Sequence, residues 1–149
     1  MFKILSDLSL ILRKDLPVAD VGNSVLASGV QGSWVTYVGS NVELTTSATR
    51  LAWPVFNESN RDGTVGWTPD VTNSLGVTVL AGKWWAQTDQ YTGTTPVVGN
   101  ALSTTTGGKL TITGGTGTVD ATSVAFCSKA PVSISYFSRT VTVIEIYAI

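Results

Sequence analysis

Short runs of β-branched and aromatic residues, each bounded by glycine or other turn residues, recur from Ser24 to Ile149. This rhythm limits the fold more than any motif does, because such runs favour strands and their boundaries favour turns. Ser33-Trp34-Val35-Thr36-Tyr37-Val38 lies between Gly32 and Gly39, and Asn41-Val42-Glu43-Leu44-Thr45 follows as the second arm of a hairpin. Residues 51–56 read as a strand in which Pro54 requires an edge or a bulge, since proline donates nothing to a ladder. Residues 76–80, 110–113, 124–126 and 133–137 read as further strands, with a hairpin turn at Gly107-Gly108 and a break at Gly114-Gly115-Thr116-Gly117. Residues 140–149 alternate to the last position, which places them in a sheet. The expectation is an all-β domain over residues 24–149, a small barrel or sandwich of short antiparallel strands.

Residues 1–23 differ from this body, being leucine-rich and almost free of glycine. Ile4, Leu5, Leu8, Ile11 and Leu12 recur at helical spacing, yet Leu8, Leu10 and Leu12 fit a period of two as well. Two readings follow for this N-terminal arm or short helix: a helix or strand packed on its own domain, or an arm that docks on a neighbouring subunit. An apolar segment outside the body must be covered by something. Asp7 interrupts the apolar run and no small-x-small site follows it, so the segment does not read as a signal peptide. No run approaches the length of a membrane span. The expectation is a soluble, unprocessed chain with no membrane partner.

Composition narrows the chemistry. Charged residues make up 13% of the 149, against about 25% in an ordinary soluble domain, and apolar residues make up 43%. Much of the surface must then be Thr, Ser, Gly and Asn, a weakly self-repelling surface that suits assembly. The basic residues are scattered and the net charge is −1, so the concentrated positive field that nucleic acid requires is missing. No nucleic-acid partner is expected.

Histidine is absent, which removes the commonest general base, the Ser-His-Asp and Cys-His arrangements, and the commonest zinc ligand. The single cysteine, Cys127, excludes an internal disulfide and reads as a small buried residue. Asp62, Asp70, Asp89 and Asp120 each stand beside turn residues, where a carboxylate caps the turn. Gly114-Gly115-Thr116-Gly117 lacks the spacing of a phosphate loop. No catalytic, metal or cofactor residue is expected, and the chain reads as a non-enzyme.

The aromatic residues carry more information. In a strand, neighbouring side chains point to opposite faces. Trp84 and Trp85 therefore cannot both enter one core unless the strand is buried on both sides. Trp84, Ala86 and Thr88 form the less polar face, and Trp85, Gln87 and Asp89 the other, so Trp85 is expected to point outward. An outward tryptophan suits a protein interface or a sugar-stacking surface.

The stretch Gly82-Lys83-Trp84-Trp85-Ala86-Gln87-Thr88-Asp89-Gln90-Tyr91, then Val98-Gly99-Asn100-Ala101-Leu102, Gly108-Lys109-Leu110 and the segment from Val124 to Pro131 resemble the capsid decoration (cement) proteins of tailed bacteriophages. Gly32-Ser33-Trp34-Val35 is similar to the first barrel strand of such proteins, and Asn100 stands where that pattern has an aspartate. The resemblance implies a virion protein on the capsid exterior, assembled in the host cytoplasm, that stabilises the shell by bridging major capsid protein subunits. It also implies association with copies of itself, as trimers in several such proteins. On that reading Phe2, Ile4, Leu5, Leu8 and Trp85 are the expected contact residues. The alternatives are a carbohydrate-binding β-module using exposed tryptophans, and a tail or baseplate β-barrel subunit.

Overall fold

The computed structural model describes residues 2–7, 11–18, 32–56, 76–136 and 139–149. These form an all-β, antiparallel structure, as the rhythm of short runs requires. In chain order the strands are β1 (Phe2–Ile4), β2 (Leu12–Pro17), β3 (Trp34–Val38), β4 (Asn41–Leu44), β5 (Trp53–Pro54), β6 (Gly76–Ala81), β7 (Trp85–Thr88), β8 (Asn100–Thr105), β9 (Lys109–Thr116), β10 (Ala125–Tyr136) and β11 (Arg139–Ala148). They build a six-stranded sheet in the order β1-β7-β11-β10-β8-β9, a three-stranded sheet β4-β3-β5, and the pair β2-β6.

The expected hairpin at Gly39-Ser40 is present, with Val38 opposite Asn41. Pro54 lies on β5 at the edge of the small sheet, where its missing N–H costs no ladder bond. The turn between β8 and β9 falls at residues 106–108. Gly108 there has φ +70°, and a Cβ at this position would stand 2.8 Å from the Trp34 carbonyl oxygen. Only glycine fits. Asn100 opens β8, and its Oδ1 accepts the Val97 N–H at 2.8 Å, a bond for which the neutral amide oxygen suffices.

The structure sharpens three readings. The described part of residues 1–23 is strand packed on the chain's own sheets, the first of the two readings: β1 pairs with β7, and β2 pairs along its whole length with β6. Ladder bonding to the chain's own sheets selects the period of two over the helical spacing. β9 runs on through Gly114-Gly115 as one strand, but its ladder with β8 is interrupted there by a register shift between Ile112 and Thr116. Gly114 serves a close approach, since a Cβ on it would lie 2.5 Å from the Thr118 carbonyl oxygen. The segments at 124–126 and 133–137 are not separate: residues 125–136 form one twelve-residue strand, with register shifts on either side of Lys129 that accommodate Pro131.

The inner face of the large sheet carries Phe2, Trp84, Ala86, Leu102, Leu110, Cys127, Ile144 and Ile146, packed with Trp34 and Leu80. Phe2 meets Trp84 edge to face at 5.7 Å, and Trp34 lies 6.0 Å from Trp84 on another side. A second cluster of Leu16, Val35, Val42, Val55, Val77 and Val79 fills the space between the smaller sheets. Cys127 is buried, and desolvation pushes its thiol pKa upward, as the sequence reading of a small core residue implies. The large sheet is strongly rolled. Just after β7, Gln90 accepts the Leu110 N–H at 2.9 Å, and Thr92 donates to the Leu110 carbonyl at 2.8 Å, so the chain leaving β7 also lines the outer edge of β9.

Candidate functional site: an outward apolar row

Trp84 is 1% exposed and Trp85 is 45% exposed, so the adjacent tryptophans divide between core and surface as strand alternation requires. The register then shows what stands beside Trp85. Tyr147 of β11 lies directly opposite it, with ring centroids 4.7 Å apart and planes inclined by 42°. Phe126 of β10 lies directly opposite Tyr147. On the other side, Leu5 continues the β1 register, its N–H donating to the Trp85 carbonyl at 2.8 Å, and it is 44% exposed. Four apolar side chains, Leu5, Trp85, Tyr147 and Phe126, thus form one row across four neighbouring strands on the outward face. At the usual strand spacing the row is about 14 Å long.

A polar row runs beside it, one register step along each strand, and contains Lys3, Gln87, Glu145 and Lys129. Gln87 Nε2 donates to Glu145 Oε1 at 3.1 Å, and Lys129 Nζ reaches the same oxygen at 3.4 Å. The carboxylate is therefore held between an amide and an ammonium.

The row ends where the sheet is covered. Ala101, opposite Phe126 on β8, is buried, and so is Ser103 two residues on. The loop at residues 117–123 lies over them: Ser103 Oγ donates to the Thr122 carbonyl at 2.8 Å. Asp120 ties this loop together. Its carboxylate accepts the Thr113 hydroxyl, the Thr122 N–H at 2.7 Å and hydroxyl at 2.8 Å, and the Ser123 hydroxyl at 3.1 Å. These donors hold the Asp120 carboxyl well below the usual carboxylate range, the Thr113 bond contributing most. Asp120 is a turn residue, as expected; Asp62 and Asp70 lie outside the described residues.

The five expected contact residues separate. Leu5 and Trp85 come together on the outward row. Phe2 is corrected: it is 0% exposed and belongs to the core, because it shares the inward register with Thr88. Ile4 follows the same alternation, facing Ala86 and packing against the core. Leu8 lies outside the described residues. The sequence alone does not single out Tyr147 and Phe126. The alternation of 140–149 makes Tyr147 an outward position, but only the pairing of β11 with β7 sets it beside Trp85.

A small cleft on the opposite side, about 90 Å³, is lined by Trp34, Trp53, Trp84, Arg50 and Ile149. Trp34 and Trp84 are buried in its wall and Trp53 is half-buried, while Trp67 lies outside the described residues. Trp85 is thus the one prominently exposed tryptophan among the described residues. Among those residues, no group of three His, Cys, Asp or Glu side chains is placed to hold a metal ion. No protein-family model and no curated protein matches this sequence.

Proposed function

We propose that this chain is a non-enzymatic virion structural protein that binds the outer surface of an assembled phage capsid and bridges neighbouring major capsid protein subunits. The observation that carries the reading is the outward row of Leu5, Trp85, Tyr147 and Phe126. Aromatic anchors with an adjoining polar rim are the usual composition of a protein interface centre. The resemblance of residues 82–91, 98–102 and 124–131 to decoration proteins supplies the partner, and the low charge content fits close packing on a shell.

The row is far smaller than the roughly 800 Å² per partner of a standard interface. One copy on its own would hold weakly, and retention on a shell would come from many copies and from association between them. The test is co-sedimentation of the purified protein with empty shells of the capsid protein from its own phage. Binding that falls when Trp85 is replaced by alanine supports the reading. A protein that stays in the supernatant with its own shells ends it.

A second reading draws on the polar row. Trp85 offers a stacking face next to an amide, a carboxylate and an ammonium, groups that can bond sugar hydroxyls. A carbohydrate-binding module would show a change in tryptophan fluorescence on addition of polysaccharide, and indifference to shells. A tail or baseplate subunit would co-purify with tails, and its gene would sit among tail genes.

A further inference from the structure

Strands β10 and β11 outrun the sheet that contains them. β8 pairs with β10 only at Ala125 and Phe126, with one further bond from the Gly99 N–H to the Cys127 carbonyl. β7 pairs with β11 only from Ile144 to Tyr147. From Val132 to Tyr136, and from Arg139 to Val143, the two strands pair with each other and with no other described strand. The side that carries the core at Cys127, Ile144 and Ile146 carries Ser133, Ser135, Thr140 and Thr142 here, and all four are exposed. On this face the ribbon is open to solvent, while on the other Val143 is fully buried at its base and Ile134 and Val141 are half-buried.

Such a ribbon presents both outer edges without a pairing strand among the described residues, and two strands alone are marginal in water. Edges of this kind are normally guarded by charged residues, by proline or by shortness. Here Pro131 guards only the base. Between Ala130 and Tyr136 no residue is charged, and Arg139, near the tip, is the single charge up to Val143.

We propose that the β10 edge of this ribbon pairs antiparallel with the same edge of a second copy of the chain, about a two-fold axis at Ile134. In that register Ser133 faces Ser135 of the partner subunit, and Val132 faces Tyr136 of the partner subunit. The period of two then keeps hydroxyls on one side of the joint sheet and Val132 and Ile134 on the other. Charge selects the partner. Two copies of one chain carry the same sign, so contact through an uncharged strand brings no like charges together. A foreign strand bearing charges would find no opposite charge along β10 to recognise. The same pairing on the β11 edge would bring in Arg139.

The experiment uses the full chain without shells, so that its outcome is independent of capsid binding. Sedimentation across a dilution series is expected to show a monomer–dimer equilibrium. Hydrogen exchange of the amides in residues 132–136 is expected to slow as concentration rises. The double variant Ser133→Lys/Ser135→Lys places like charges opposite each other at two positions and should weaken the dimer about tenfold. Thr140→Lys/Thr142→Lys, on the far strand, should leave it within about twofold. A protein that stays monomeric with concentration-independent exchange overturns the proposal, as does a dimer that the first variant leaves intact or that both variants weaken equally. Exchange is read on the unaltered chain, so a variant that fails to fold does not shield the proposal.

Discussion

Trp85 and Tyr147 face each other across β7 and β11 with ring centroids 4.7 Å apart, and both stand on the outward side of a sheet whose inward side is core. Each ring shields part of the other. The pair is therefore a preformed surface rather than two mobile side chains, and less side-chain freedom is lost when a partner covers it.

Trp85→Ala and Leu5→Ala should leave the fold in place, because neither side chain enters the core. The tryptophan variant loses the stacking with Tyr147, a change of about 0.5–1.5 kcal/mol in denaturant unfolding. On the capsid reading, shell binding should fall about tenfold or more for Trp85→Ala and less for Leu5→Ala. Co-sedimentation alongside urea titration separates the two effects. A binding loss matched by an equal stability loss would argue against a surface role.

Phe2→Ala should behave in the opposite way. Phe2 is fully buried against Trp84, so removing its ring should cost about 3–5 kcal/mol of stability. Trimming the first six residues would remove β1 as well and expose the edge of β7. An N-terminal deletion therefore tests folding, whereas an arm that merely reached a neighbour would leave the denaturation midpoint unchanged.

Asp120 gives the protein an acid-sensitive loop. Its carboxyl is held below its unfolded value by the Thr113, Thr122 and Ser123 donors. The stabilisation is fully present above the unfolded pKa of about 4 and drains away as pH falls through the lower folded value. Asp120→Asn should lower stability at neutral pH and flatten the acid limb of a thermal-melt profile. An unchanged slope between pH 5 and 2, to take a practical range of roughly that width, would contradict the carboxylate's role.

Gly108→Ala should destabilise by about 1–3 kcal/mol, because the position combines a left-handed backbone with a Cβ that would press on the Trp34 carbonyl. Gly107 has φ +74° but open space around it, so alanine there should cost less. Comparing the two melting temperatures isolates the steric contribution from the backbone one.

The all-β class was legible because its signals are local. The run at 33–38, the turn at Gly107-Gly108 and the alternation of 140–149 each declare themselves within a few residues. The opposite orientations of Trp84 and Trp85 follow from strand geometry and the polarity of the neighbouring positions. The fate of residues 1–6 depends instead on β7, some eighty positions away, and no local period could select strand over helix there. Phe2 was legible as apolar but not as inward, since its face is fixed by which residue of β7 it meets. The apolar row as a whole had the same obstacle: Leu5, Trp85, Tyr147 and Phe126 become neighbours only through pairing between distant segments.

The link from the residues after β7 to Leu110 bears on how this protein would come apart. An open sheet unravels from its outermost strands, which have bonds on one side only. β9 occupies that position by strand order, yet Gln90 and Thr92 hold its far side. Because residues 85–88 also carry β1 and β11, a single stretch of eight residues clasps the sheet at both ends of its roll. A cut in the backbone near Asp89 would leave each set of hydrogen bonds in place and sever only the covalent tie between them, so the two ends of the roll could then part independently.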